Sequence, residues 1–190
     1  NNFTWAKWVT PSRDLISAFK QEGDEVRFKE SIVYYDCNWS NYYPSDNYPF
    51  MYKCRSANSS IIKYRYADVL LLKAEALIMQ DTPDLEGAAD IIDEVRDRAK
   101  LGALPTSVRS NKNVLLNALL KERRLELAFE GQRWFDLVRL DKVEEVMNAV
   151  YAKDSGRKAQ IYTFDKNSYR LPIPQSVIDA NDKIHQNPGY

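Results

Sequence analysis

The sequence predicts a mainly α-helical protein, built from antiparallel, tetratricopeptide-like helix pairs with long irregular loops and little β-structure. Three observations favour this class. Glycine accounts for only 6 of the 190 residues, which suits a chain with few tight β-turns. Apolar residues recur at helical spacing through the middle of the chain. Two of the predicted helices are joined by about five residues, so they should pack antiparallel.

The first third of the chain is predicted to contain a short helix, a short strand and a long loop. The segment Thr10-Pro11-Ser12 is typical of a helix start, with a hydroxyl cap and a proline at the first helical position. Gly23 should end this helix, and a strand is expected within residues 26–35. Residues 36–60 are predicted to be loop, because Asn, Ser, Asp and Pro alternate there with aromatic residues.

A helical core is predicted over residues 61–150. The first helix begins after Ile61, and Thr82-Pro83 begins a second that stops at Gly102. A third helix should run over 113–130. The apolar stripes of the first pair are Tyr66, Val69, Leu70, Ala74, Leu77 and Ile78, then Ala88, Ile91, Ile92, Val95 and Ala99. The small residues Ala74, Ala76, Ala88 and Ala89 should let this pair approach closely.

The chain after Gly131 is predicted to contain shorter elements. A helix restarts over 134–140, and Asp141 is positioned to cap a further helix through Val150. Residues 151–190 form an irregular tail in this interpretation. It begins with a polar loop over 151–168, continues with an extended proline-containing segment over 169–174, and includes a short helix over 175–180.

Composition excludes several classes of protein. Lys and Arg together number 27, as do Asp and Glu, so the formal net charge is zero, which disfavours a nucleic-acid-binding protein. No apolar run reaches the roughly 18 residues that span a bilayer, and the start does not resemble a signal peptide. One histidine and two cysteines leave little material for a transition-metal site, so we expect no metal and no cofactor.

Three glutamates, Glu122, Glu126 and Glu130, lie four residues apart on one helix face. A catalytic carboxylate pair is one interpretation. The favoured one is an internal lattice of ion pairs between helices, with Arg123, Arg133, Asp136 and Arg139 nearby. The leucines and the phenylalanine between these charges imply partial burial, which requires close partners.

The best candidate for a binding site is the aromatic loop, because eight aromatic residues lie between Tyr34 and Tyr52. Aromatic rings cover the apolar faces of sugar rings, and nearby polar groups hydrogen-bond the hydroxyls. Trp39, Tyr42 and Tyr43 are the predicted ring contacts, and Asn41 and Asp46 are the predicted polar contacts. The alternative is that these rings pack inward and hold the loop in place.

Two further features stay open at the level of sequence. Trp5 and Trp8 are second candidates for sugar contacts, or else a hydrophobic staple for the first helix. Cys37 and Cys54 bracket the aromatic loop, and a disulfide between them would stabilise the fold by about 3 kcal/mol if the geometry allows it.

Several segments, in order, resemble one family, the SusD/RagB family. They include the opening Pro11–Leu15 with Ala18-Phe19, and Pro172-Ile173-Pro174 before the tail. The four main ones are Arg65–Ala76 (RYADVLLLKAEA), Val95–Ala99 (VRDRA), Glu122–Arg139 (ERRLELAFEGQRWFDLVR) and Gln186–Tyr190 (QNPGY). The similarity is to the C-terminal part of that family and covers nearly all of residues 1–190. Two positions depart from the family pattern, Lys100 where glycine is usual and Asp182 where proline is common.

The resemblance implies a surface-exposed outer-membrane lipoprotein that binds oligosaccharides without catalysis and delivers them to a TonB-dependent, SusC-like transporter. It also implies a longer whole protein, anchored through a lipidated cysteine in a part not present here. Alternatives are capture of peptides in place of sugars, and a helical scaffold for the transporter with no ligand site in this part. An enzyme ranks third, because no opposed pair of carboxylates can be located.

Overall fold

The computed structural model describes residues 9–53, 62–153 and 164–190. The chain divides into two compact units, one ending at Arg133 and the other beginning at Trp134. The predicted class is confirmed, because helices dominate and the β-structure of the described residues is a single two-stranded sheet. None of the helices in these ranges is both long and apolar enough to cross a membrane.

The elements follow one another in a simple order. The first unit contains α1 (Arg13–Glu22), α2 (Glu25–Ser31), β1 (Ile32–Tyr35), β2 (Tyr48–Met51), α3 (Tyr66–Met79), α4 (Leu85–Arg98), α5 (Thr106–Arg109) and α6 (Lys112–Glu126). After that come α7 (Arg133–Arg139), α8 (Val143–Lys153), a short 3-10 helix (Lys166–Tyr169) and α9 (Gln175–Asp179).

The main core lies between α3, α4 and α6. Its fully enclosed residues are Leu71, Ala74, Ile78, Ala88, Ala89, Ile92, Val95, Leu115 and Leu119. Ala74, Ala88 and Ala89 allow the predicted close approach of α3 and α4. The predicted stripe of α3 was wrong at one edge, because Tyr66 and Val69 face solvent. Ala76 also faces solvent, so it does not contribute to the close approach of the pair. The buried face of α3 is centred on Leu71, Ala74 and Ile78.

Within the described residues, three helices end in a left-handed residue whose own N–H, together with the N–H of the next residue, bonds back to the last turn. Gly23 ends α1 in this way, as predicted. Lys100, at a φ of 62°, does so after α4, so the expected stop at Gly102 was wrong. Asp141, at a φ of 51°, ends α7 and does not cap α8. The departure from glycine at Lys100 therefore falls on the position where the backbone favours glycine.

Two predictions near the chain start were wrong in detail. The cap of α1 is Ser12, whose hydroxyl accepts from the N–H of Leu15 at 3.1 Å, so Pro11 precedes the cap. Residues 25–31 form α2 and not a strand, since Asp24 caps that helix by accepting from the N–H of Arg27. This local capping outweighs the β-propensity of the segment.

The strand pair β1–β2 forms an antiparallel hairpin, with Ile32 opposite Met51 and Tyr35 opposite Tyr48. The predicted loop over 36–60 therefore contains a strand. A second apolar cluster joins α1, β1 and the end of α6, and it includes Phe19 and Leu125. The third cluster consists of Cys37, Tyr48 and Phe50, and it lies directly under the hairpin loop.

The second unit is organised by aromatic and amide contacts. Trp134, Phe164 and Tyr169 form a cluster with ring centroids 5.9–6.3 Å apart. The helix predicted to reach Val150 extends to Lys153, and the short helix over 175–179 is confirmed. The extended segment is tied to the tail by Gln186, whose side-chain amide bonds both the N–H and the carbonyl of Ile173.

Candidate functional site

The hairpin loop over residues 36–47 is held closed at its base. The N–H of Cys37 donates to the carbonyl of Ser45 at 2.7 Å, and the N–H of Asn47 donates to that of Pro44. Below the loop, Tyr48 and Phe50 of β2 are almost fully buried. The loop over residues 36–47 therefore forms a platform that rests on the packed rings of β2.

Trp39 is the most exposed ring of this platform, with 61% of its surface accessible. Its ring centroid lies 5.9 Å from that of Tyr48 and 6.1 Å from that of Phe50. These tilted contacts support the indole from one side, while most of its surface faces solvent. Such an indole can cover an apolar sugar face without moving.

Tyr42 and Tyr43 pack edge to face, with their centroids 4.8 Å apart. The Tyr43 hydroxyl donates to the carbonyl of Pro11 at 2.9 Å, and its ring contacts both apolar clusters next to the hairpin. The guanidinium carbon of Arg13 lies 4.2 Å from the centroid of the Tyr42 ring, and Nη2 of Arg13 donates to the Tyr42 carbonyl. Tyr43 is thus an anchor as well as part of the site, and Arg13 supports Tyr42.

A hydrogen-bonded hydroxyl links the loop to the segment before α1. The Tyr48 hydroxyl lies 2.8 Å from Oγ of Ser40, and Oγ1 of Thr10 donates to it at 3.3 Å. The buried ring of Tyr48 thus carries a polar tip that fixes the loop. This network positions Ser40, the residue that follows Trp39.

The rings surround an open depression of about 910 Å³. Its lining residues are Arg13, Cys37, Asn38, Trp39, Ser40, Asn41, Tyr42, Tyr43, Pro44 and Ser45. Asn38 and Asn41 are exposed, and their side-chain amides make no hydrogen bond to the described part of the chain. They therefore offer donors and acceptors to sugar hydroxyls. Asp46 is exposed but does not line the depression, unlike the other predicted contacts in the loop.

Three residues singled out in the sequence lie outside the described residues. They are Trp5, Trp8 and Cys54. Cys37 is buried under the loop, and its pairing with Cys54 stays a prediction. The same holds for any sugar contact by the two tryptophans.

The glutamates of α6 form the predicted lattice of ion pairs. Glu126 accepts from Arg27 at 3.0 Å, from Arg65 at 2.6 Å and from Arg98. Glu122 accepts from Arg27 at 2.5 Å and from Arg96 at 3.3 Å. These cations come from α2, α4 and the residue before α3, so the lattice joins elements far apart in sequence.

The lattice continues beyond the end of α6. Glu130 pairs with Arg65 at 2.7 Å and with Lys53. Arg123 of α6 pairs with Asp68 of α3 at 2.9 Å, and both side chains are buried. A carboxylate set enclosed by guanidinium groups along one helix differs from a catalytic pair, which faces across a cleft.

Two neighbouring glutamates of the lattice have pKa values shifted in opposite directions. Burial raises the pKa of Glu122 above its ordinary value of 4.5, and Arg27 and Arg96 lower it without cancelling that effect. For Glu126, burial again acts to raise the pKa. The hydrogen bonds and charge of Arg65 and Arg27 outweigh burial, and the pKa falls below 4.5.

Sequence reasoning missed the cations from other elements that pair with the glutamates, and it did not connect Arg13 with the aromatic loop. Arg13 lies 29 residues from Tyr42 in the chain, and no periodic pattern links them. Arg27 and Arg65 meet the glutamates of α6 from 99 and 61 residues away. The apolar residues between the three glutamates did indicate partial burial, and therefore that cations must lie close to them.

The fold and the aromatic hairpin define the class of protein, an α-helical protein of tetratricopeptide-like helix pairs with an added ring-bearing loop. A family model described as the SusD family matches residues 43–190. The chain belongs to the SusD family, and the resemblance found in the sequence is confirmed.

Two curated relatives come from Formosa agariphila. SusD-like protein P2 is 36% identical over 143 residues, which are 72% of this chain and 27% of P2. SusD-like protein P38 is 43% identical over 99 residues, which are 49% of this chain and 19% of P38. The chain therefore spans less than a third of the length of these two relatives.

Solved structures share the fold. A SusD superfamily protein from Bacteroides vulgatus has a TM-score of 0.69 at 22% identity, covering 95% of this chain and 44% of that one. A laminarin-binding SusD-like protein has a TM-score of 0.60 at 28% identity, covering 94% of this chain and 37% of that one.

Proposed function

We propose that the protein binds glycans without catalysis, and that the aromatic depression is a site of capture. The observation that carries this proposal is the exposed indole of Trp39, held on a packed hairpin beside the side-chain amides of Asn38 and Asn41. An apolar face with hydroxyls at its edge is what such a surface complements. Tyr42 and Tyr43 border the same depression.

The similarity to a laminarin-binding SusD-like protein supports a glycan as the ligand. The whole protein, in this proposal, is exposed at the outer membrane and delivers its ligand to a TonB-dependent, SusC-like transporter. Family membership supports these two steps. The ion-pair lattice of α6 has the role of joining helices and not of cleaving a bond.

Binding in this proposal is weak at each ring contact. A stacked aromatic contact contributes about 0.5–1.5 kcal/mol beyond its buried area. Removing the Trp39 ring therefore lowers the affinity by about tenfold or more, once the lost apolar contact is included. Removing the side-chain amide of Asn41 lowers the affinity less, because a single neutral hydrogen bond contributes about 1 kcal/mol.

Affinity gel electrophoresis against laminarin and a panel of other soluble polysaccharides tests the proposal. We expect at least one polysaccharide to retard the protein, and Trp39→Ala to lose most of that retardation. Tyr66→Ala is the matched control, since Tyr66 is 73% exposed and does not line the depression. Retardation that survives Trp39→Ala would move the site elsewhere, and no retardation by any polysaccharide would count against glycan capture.

A further inference from the structure

We propose that the affinity of the aromatic depression for its ligand depends on a buried hydroxyl that never touches that ligand, the hydroxyl of Tyr48. Tyr48 is thus a positioning residue for the site. This inference rests on the proposed function, because it concerns glycan capture at the same depression. It is carried by a chain of hydrogen-bonded hydroxyls that joins the loop over residues 36–47 to the segment before α1.

Tyr48 lies beneath the depression and out of reach of a ligand bound there. Only 2% of its surface is accessible, and it is not among the lining residues. Its ring centroid lies 5.9 Å from that of Trp39 and 5.5 Å from that of Tyr43, two of the proposed ring contacts. Any effect of the Tyr48 hydroxyl on binding must therefore be transmitted through the loop.

The hydroxyl chain fixes the turn that follows Trp39. Oγ1 of Thr10 donates to the Tyr48 hydroxyl at 3.3 Å, and that hydroxyl lies 2.8 Å from Oγ of Ser40. The N–H of Tyr42 donates to the same Ser40 oxygen at 3.4 Å. A hydroxyl oxygen can accept two hydrogen bonds and donate one, so Ser40 can serve both partners at once. The chain therefore ties the backbone beside two proposed ring contacts to a residue that precedes Tyr48 by 38 positions.

The segment before α1 is a firm support, because it is bonded to the hairpin on either side of the hydroxyl chain. The N–H of Met51 donates to the carbonyl of Val9 at 2.9 Å, and the Tyr43 hydroxyl donates to the carbonyl of Pro11 at 2.9 Å. Neither bond involves the Tyr48 hydroxyl. We therefore expect Tyr48→Phe to loosen the loop without detaching this segment or unfolding the hairpin.

A loop that is already ordered binds more tightly, because binding does not then include the entropy cost of ordering the loop. Without the Tyr48 hydroxyl, Ser40 loses a partner, and part of that cost is added to the free energy of binding. We expect Tyr48→Phe to weaken binding by about fivefold. The lining residues are the same in this variant, so bound ligand should restore the order of the loop.

Calorimetric titration tests the inference, using an oligosaccharide of the polysaccharide that retards the protein most strongly. Tyr48→Phe should bind about fivefold more weakly than wild type. Thr10→Val breaks the same chain outside the loop and should also weaken binding, whereas Thr10→Ser keeps the hydroxyl and should bind like wild type. Tyr34→Phe is the matched control, because it removes one hydroxyl from the neighbouring strand β1 outside the depression.

Amide hydrogen exchange separates positioning from a general loss of stability. In Tyr48→Phe, the loop over residues 36–47 should exchange faster than in wild type and regain protection at saturating ligand, while α3 and α6 exchange as in wild type. Faster exchange throughout the chain, together with weaker binding, would indicate a purely structural role and would overturn the inference.

A double-mutant cycle with Ser40→Ala tests the path of transmission. If the Tyr48 hydroxyl acts through Ser40, then Tyr48→Phe adds little to the loss of affinity caused by Ser40→Ala. Losses that are independent of each other would overturn the inference. Wild-type affinity in Tyr48→Phe would also overturn it but would leave glycan capture intact, and no binding of any oligosaccharide by wild type would overturn both. If Tyr48→Phe does not fold, the contrast between Thr10→Val and Thr10→Ser decides the same question.

Discussion

At the scale of the residue, the carboxylate of Glu126 makes several of the ion pairs that join elements distant in sequence. Glu126 is 3% exposed and meets Arg27, Arg65 and Arg98. Removing one member of a buried ionic set leaves the others without compensation, which typically costs 3–5 kcal/mol. The buried carboxylates and guanidinium groups of the lattice therefore compensate one another, and the loss of any one of them lowers the stability of the fold.

The opposite pKa shifts of Glu126 and Glu122 give a prediction about pH. The pKa of Glu126 is lowered in the folded protein, so its stabilising contribution is present above its unfolded value near 4.5 and is lost as pH falls through the folded pKa. Glu126→Gln should therefore lower the free energy of unfolding by about 3 kcal/mol at pH 7, and by less as the pH falls below 4.5. Urea denaturation of both proteins across this pH range measures the difference.

Glu122→Gln provides the contrast. The pKa of Glu122 is raised, so its contribution is fully present below its unfolded value and decreases as pH rises through the folded pKa. The cost of Glu122→Gln should therefore shrink as pH rises, opposite to the trend of Glu126→Gln. The same pH trend in both variants would contradict the assignment of these shifts.

At the scale of the element, the end of α4 shows how a helix end tolerates a lysine at a position where the backbone favours glycine. Lys100 adopts the left-handed conformation that glycine adopts freely, and the N–H groups of Lys100 and Leu101 bond back to Asp97 and Arg96. The hydrogen bonds of the helix end are thus complete, while the side chain imposes a steric cost.

Lys100→Gly should relieve that cost. We expect the free energy of unfolding to rise by about 0.5–1 kcal/mol, the net of relieved strain and a more flexible unfolded chain. Glu94→Gly is the matched control, because it introduces the same residue inside α4 at an exposed position and should lower the free energy by about 1 kcal/mol. Thermal or urea denaturation of the two variants measures both changes. A loss of stability in Lys100→Gly would be incompatible with strain at this position.

The hairpin is the element that organises the proposed site. Its sequence indicated aromatic loop chemistry, but the strand Tyr48–Met51 was not predicted, because a proline at 49 and a surrounding run of turn residues obscure a four-residue strand. Pairing with β1 and burial of Tyr48 and Phe50 determine its conformation. Such long-range pairing is not encoded in local periodicity.

At the scale of the whole molecule, the helices of the core were predictable because apolar residues recur at helical spacing along each of them. The cap residues and exact ends were less predictable, as Ser12 and Asp141 show, because several neighbouring residues can serve equally well as caps. The ring residues of the proposed site were named from the clustering of aromatic residues between Tyr34 and Tyr52. Arg13 was not, because its proximity to Tyr42 depends on packing between α1 and the hairpin.

The most direct test of glycan capture is a crystal structure of the protein with a bound oligosaccharide, using the polysaccharide that retards it most strongly. We predict a sugar ring stacked on the indole of Trp39, with its hydroxyls in hydrogen-bond contact with Asn38 or Asn41. A saccharide bound elsewhere, with the depression beside Trp39 empty, would contradict the proposed site.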